Sequence, residues 1–90
     1  MTEKAVAITI TGRVQNVGFR FHTRKQAQEM ELVGFVRNRP NGSVYVEVQG
    51  SADAIERFIL WCHQGPSWAR VDNVQVQAIP IGEYEGFMIK

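Results

Sequence analysis

The stretch Val33-Gly34-Phe35-Val36-Arg37-Asn38, then Arg39-Pro40-Asn41-Gly42, then Ser43-Val44-Tyr45-Val46-Glu47-Val48-Gln49 lies in the middle of the chain. In its first part Val33 and Phe35 fall on one side and Val36 on the other. In its last part Val44, Val46 and Val48 oppose Tyr45 and Glu47. A period of two in short valine-rich runs argues for strands. Pro40-Asn41-Gly42 supplies the turn that folds them into a hairpin.

On both sides of the hairpin the period changes. Upstream, Phe19, Thr23, Ala27 and Met30 fall near one face of a helix, and good helix formers fill Lys25 to Met30. Downstream, Ser51 suits an N-cap and Asp53 the positive end of a helix. Ile55, Phe58, Ile59 and Cys62 then make an apolar stripe that Gly65-Pro66 ends. Outside the helices lie a first strand, Ala5 to Thr11, and a fourth, Val71 to Ile79, in which Val74, Val76 and Ala78 share a face. Gly12 to Gly18 reads as a loop, and Phe87 to Lys90 is available as a short C-terminal edge strand. The order is that of an α+β fold, the ferredoxin-like βαββαβ sandwich, with an antiparallel sheet and both helices on one face. Its first two strands run parallel with the third between them. The loop after strand one and the end of strand two therefore meet at one edge, which brings Arg20 to the side of Asn38.

Ninety residues suit one domain spanning 1–90. An apolar share of 44% and a charged share of 21% belong to a globular chain rather than a disordered one. A net charge of +1 gives no bulk field for nucleic acid or an anionic membrane, so any basic function has to be local. Cys62 is the sole cysteine, which excludes an internal disulfide and a cysteine zinc cluster. The run Ala5 to Ile10 is too short for a signal core, and no stretch approaches the roughly 20 apolar residues of a membrane helix. The expectation is a complete, cytoplasmic, monomeric protein.

The chemistry concentrates in Gly12-Arg13-Val14-Gln15-Asn16-Val17-Gly18-Phe19-Arg20, which leads from a strand end into a helix start. Successive backbone N–H groups in such a loop can form an anion nest, and a helix N-terminus adds free donors. Arg20 can bring a guanidinium fork to the same anion. On physics alone the run is either a phosphate or carboxylate site or plain turn chemistry between strand and helix. It matches neither the Walker loop nor the dinucleotide glycine pattern.

This loop resembles that of the acylphosphatase family, as do Val33-Gly34-Phe35-Val36-Arg37-Asn38, then Gly42, Val46 and Gln49-Gly50, and later Ala69-Arg70-Val71-Asp72 and Phe87. The resemblance covers nearly the whole chain in order. It implies hydrolysis of acyl phosphates, with Arg20 binding the phosphoryl group and Asn38 positioning the attacking water. The backbone of Gln15, Asn16, Val17, Gly18 and Phe19 would complete the phosphate loop, with no cofactor and no metal. The implied partner is a small acyl phosphate, with inorganic phosphate as product inhibitor. One departure is Asn16, where the family commonly has glycine. Asparagine is the residue best able to replace glycine at φ > 0.

The other reactive side chains have plainer readings. His22 and His63 read as helix-surface residues, Cys62 and Thr23 as core-facing, and Arg13, Arg37 and Glu47 as solvated. Trp61 and Trp68 could cover the core end or stand partly exposed. The alternatives are a non-catalytic anion- or RNA-binding module of the same fold, a domain of a larger maturation enzyme, and an inactive relative. RNA platforms need several open-face aromatics, and Tyr45 is the one this pattern offers.

Overall fold

A computed structural model of the protein describes residues 2–90. The chain runs β1 (Glu3–Arg13), α1 (Phe19–Glu29), β2 (Val33–Asn38), β3 (Val44–Ser51), α2 (Ala52–Gln64), β4 (Arg70–Ala78) and β5 (Phe87–Ile89). These form one sheet in the order β4-β1-β3-β2-β5. β3 is antiparallel to β1 and to β2, and β4 is antiparallel to β1. β1 and β2 are therefore parallel to each other, and both end at the same edge. β5 joins the far side of β2 in parallel, which makes the full sheet mixed rather than wholly antiparallel.

The alternation read from the sequence sets the core. Val6, Ile8 and Ile10 of β1, Val36 of β2 and Val44, Val46 and Val48 of β3 are all buried. Onto them pack Phe19, Thr23 and Ala27 of α1 and Ala54, Ile55, Phe58 and Cys62 of α2. Ser51 caps α2 as expected, its hydroxyl accepting from Ala54 N at 3.2 Å. Val74 packs against the core, but Val76, on the edge strand, is 44% exposed.

The first strand is longer than its alternation suggests. Gly12 and Arg13, expected in the loop, continue β1 opposite Val71 and Arg70 after a register shift at Thr11/Gly12. The bulge needs glycine: Gly12 has φ 129°, and a β-carbon there would collide with the Arg70 carbonyl. The loop proper thus begins at Val14, which is buried.

Residues 79–86 carry the chain from one sheet edge to the other across the face that the helices leave open. Gln49 holds this strap at both ends of its amide: Nε2 donates to Gly82 O (3.1 Å) and Oε1 accepts from Gly82 N (2.8 Å). Glu47 is not a free surface carboxylate, because Tyr45 and Tyr84 both donate to it, at 2.7 and 2.8 Å. Burial and this bond to Glu47 push the Tyr84 phenol up to about 12. A group whose pKa is raised on folding stabilises the fold fully below its unfolded value of about 10 and loses that contribution as pH climbs through the folded value. Tyr84→Phe should therefore lower stability by about 1 kcal/mol at pH 8. It should also flatten the decline in urea midpoint between about pH 10 and 12 relative to wild type.

Candidate active site

Two positive-φ residues shape the loop. Asn16 has φ 63° and Gly18 has φ 76°, while the residues between and beside them do not. This alternation turns successive N–H groups toward one concavity. Asparagine at position 16 thus occupies the left-handed region that a glycine would fill without strain. Gly18 is also the N-cap of α1, and its carbonyl accepts from His22 N at 3.1 Å. Among the described residues, no backbone N–H from Gln15 to Phe21 donates to a protein acceptor. Such a run of unpaired donors at a helix start is an anion cradle.

Arg20 is the second residue of α1 and is half-buried, with no acidic side chain within ion-pair distance among the described residues. Asn38 closes β2. It lies two residues after core-facing Val36, so the strand period turns it to the helix-covered side, below the start of α1. Its Oδ1 is buried and has no hydrogen-bond partner among the described residues. A buried carboxamide oxygen left unpaired costs about 1–3 kcal/mol, so such an atom normally finds water or a ligand.

Arg20 and Asn38 line the same cavity, of about 210 Å³. Asn16 and Gly18 contribute to its polar side, and Val14, Phe19, Phe21 and Ile89 to its apolar side. The parallel β5 matters here, because pairing Val36 with Ile89 sets that side chain beside Asn38. The side chains of Gln15 and Val17 do not line this cavity. Val17 packs partly on the core and, with Arg13, Asn16 and exposed Trp68, borders a second cleft across the loop.

Gln15 has a different role, one invisible in the sequence. Its Nε2 donates to Arg39 O (2.8 Å) and Ser43 O (2.9 Å), tying the loop to the β2–β3 turn. That turn is itself braced by Asn41 Oδ1, which accepts from Ser43 N (3.0 Å) and Ser43 Oγ (2.6 Å). One side chain thus fixes the cradle relative to Asn38. The partners lie 24 and 28 residues away and are backbone carbonyls, so no residue pattern announces them.

The remaining candidates stay outside. His22 and His63 are exposed and line no part of the cavity. Cys62 is fully buried, and burial pushes its thiol far up, which makes it inert as a nucleophile. Thr23 faces the core, but its Oγ1 has no hydrogen-bond partner among the described residues. Trp61 packs on Phe19 and Phe58 at the core end, whereas Trp68 is 81% exposed. On the open face Phe35 and Tyr84 join Tyr45, but the rings are occupied. Arg39 sits 3.9 Å over Tyr45 and Lys90 4.4 Å over Phe35, with Tyr84 bound to Glu47. A stacking platform for RNA bases needs those faces bare, so the binding-module alternative is not favoured.

The arrangement defines a class: a ferredoxin-like sandwich with a loop of unpaired donors and an asparagine that line one cavity. Comparison with known proteins narrows this. The acylphosphatase family model matches residues 6–89. The chain is 46% identical over 90 residues to an acylphosphatase of Salinibacter ruber, covering 99% of this chain and 95% of that one. It superposes on the structure of an acylphosphatase from Coxiella burnetii with a TM-score of 0.95 at 35% identity, covering 98% and 93%. For acylphosphatase from Bacillus subtilis the values are 0.94 and 28%, covering 99% of both chains. The chain belongs to the acylphosphatase family. It is an enzyme that hydrolyses acyl phosphates to a carboxylate and inorganic phosphate. Among the described residues no helix is long and apolar enough to cross a membrane, and no three His, Cys, Asp or Glu side chains gather as a metal site.

Replacing the tether tests its role. Gln15→Leu should lower stability by about 1–2 kcal/mol in urea unfolding, because two carbonyls lose their donor. It should also weaken inhibition by inorganic phosphate, whereas Gln28→Leu, on the exposed side of α1, should change neither.

Proposed function

We propose that Arg20, Asn38 and the backbone of residues 15–20 carry the hydrolysis. Arg20 clamps the phosphoryl oxygens with its guanidinium fork, and the unpaired N–H groups of Gln15, Asn16, Val17, Gly18, Phe19 and Arg20 share the charge that remains. Asn38 Oδ1 accepts from a water and aims it in line with the bond to be broken. The new bond forms between water oxygen and phosphorus, the phosphorus–oxygen bond to the acyl group breaks, and its electron pair leaves with the carboxylate. The water's protons end on inorganic phosphate and solvent.

These groups suffice because of the leaving group. A carboxylate has a conjugate acid pKa of roughly 4, so it departs without being protonated. Phosphoryl transfer runs largely through a loose transition state, which demands positioning and charge stabilisation more than proton transfer. No general acid, metal or cofactor is called for. The observation that carries this reading is that Asn38, whose Oδ1 is orphaned, lines the same cavity as an unpaired arginine. The reading includes a cytoplasmic monomer whose product, inorganic phosphate, competes for the cradle.

Arg20→Ala and Asn38→Ala should each lower kcat/KM for benzoyl phosphate by on the order of 100- to 1000-fold, with thermal unfolding close to wild type. Near-normal turnover in either folded variant contradicts the assignment. Hydrolysis should be insensitive to a chelator and competitively inhibited by inorganic phosphate. A strict requirement for added magnesium would count against this mechanism.

A further inference from the structure

We infer that the open face of the sheet carries a second anion site, centred on Arg39, that takes a small hydroxy-carboxylate. It lies apart from the cavity of Arg20 and Asn38 and does not depend on the roles proposed for them. A hollow of about 680 Å³ opens on this face where β3, β1 and β4 lie side by side. Its shape follows from register. Val6, Ile8 and Ile10 of β1 face the core, so Ala7 and Thr9 face outward. Thr9 stands between Gln75 of β4 and Tyr45 of β3, and in the next row Ala7 stands beside Gln77. A lone methyl group at position 7 among longer neighbours leaves the hollow, and the Arg39 side chain reaches its rim from the β2–β3 turn.

Arg39 is the sole charged residue of the lining, with no acidic side chain within ion-pair distance among the described residues. Its guanidinium rests 3.9 Å over the Tyr45 ring. That contact uses the flat face of the group, and its N–H donors, which lie in the plane at the edge, stay free. Arg37, 5.5 Å from the centre of the same ring, adds a second positive charge. The opposing charge is Glu47, which lies outside the lining with its oxygens held by Tyr45 and Tyr84. Thr9, Gln75 and Gln77 spend no side-chain hydrogen bond on any other described residue. This set of groups describes the ligand. One guanidinium fork matches one carboxylate. A phosphate dianion would want backbone donors as well, and β1 beneath the hollow is paired on both sides. The two carboxamides and the hydroxyl offer donors and acceptors together, which suits a hydroxyl beside the carboxylate.

The experiment titrates lactate into isotope-labelled protein at constant ionic strength and follows amide NMR shifts, with propionate as the same acid lacking the hydroxyl. Lactate should shift the amides of Thr9, Gln75 and Gln77 saturably, and equally in wild type and in Arg20→Ala, whose cradle has lost its cation. Propionate should bind about fivefold more weakly. Arg39→Met keeps an unbranched stem over Tyr45 but loses the fork, and should weaken lactate about tenfold or more. Gln77→Glu, at an exposed position, sets a like charge beside the ligand and should also weaken it, which decides the matter if Arg39→Met does not fold. Shifts that chloride reproduces, that never saturate, or that persist unchanged in the folded variants overturn the site. Shifts confined to residues 15–20 and lost in Arg20→Ala overturn it too, by placing the carboxylate in the cradle. Equal binding of lactate and propionate overturns the hydroxy-carboxylate class.

Discussion

An anion cradle is a set of donors that the fold must leave unsatisfied, and much of this structure is arranged around that constraint. A buried polar group left unpaired costs about 1–3 kcal/mol, and even exposed N–H groups pair with any carbonyl within reach, so an open loop of donors has to be held apart from such acceptors. Three features hold it open. The bulge at Gly12 turns the chain out of β1, left-handed backbone at Asn16 and Gly18 aims the N–H groups, and the Gln15 amide pins the loop to the β2–β3 turn. The same pin sets the distance to Asn38, whose own unpaired oxygen faces the same cost. In the proposed mechanism, a phosphoryl group and its water would satisfy both sets at once.

Much of this was legible in the sequence because it depends on period and order. Alternating valines around Pro40-Asn41-Gly42 show the hairpin, the stripe from Ile55 to Cys62 shows α2, and topology then puts Arg20 on the side of Asn38. What stayed hidden depends on bonds without a period. Gln15 reaches backbone carbonyls, which every residue has. Gly12 looked like the start of a loop because a bulge breaks alternation just as a loop does. The strap at residues 79–86 has neither period, and its attachment to Gln49 and Glu47 pairs residues more than 30 apart. Glu47 therefore reads as solvated in the sequence, when it is in fact bonded to both tyrosines.

The open face shows how one fold serves unrelated purposes. Sheets of this type can offer exposed aromatics to nucleotides. Here the strap covers one end of the face, while Arg39 and Lys90 stack on Tyr45 and Phe35. Those cations satisfy the rings internally, and the candidate site lies at the edge where β1 and β2 end. The strap also determines where β5 enters. By carrying the chain across to β2, it makes β5 parallel and delivers Ile89 to the cavity wall. A segment far from the cradle thus completes the apolar side of the site.

The composition of the cavity also limits which phosphoryl donors it can use. A phosphate monoester expels an alkoxide, whose conjugate acid has a pKa near that of water, about 16. That departure needs a proton or a metal ion at the leaving oxygen, and the lining supplies no carboxyl group, histidine or thiol to deliver a proton. An acyl phosphate expels a carboxylate more than ten pKa units less basic, for which the proposed guanidinium and ring of amides would suffice. On the proposed roles, selectivity for the anhydride over the ester is the expected consequence of this lining. On the same roles, a general acid added to the lining would be expected to broaden the chemistry.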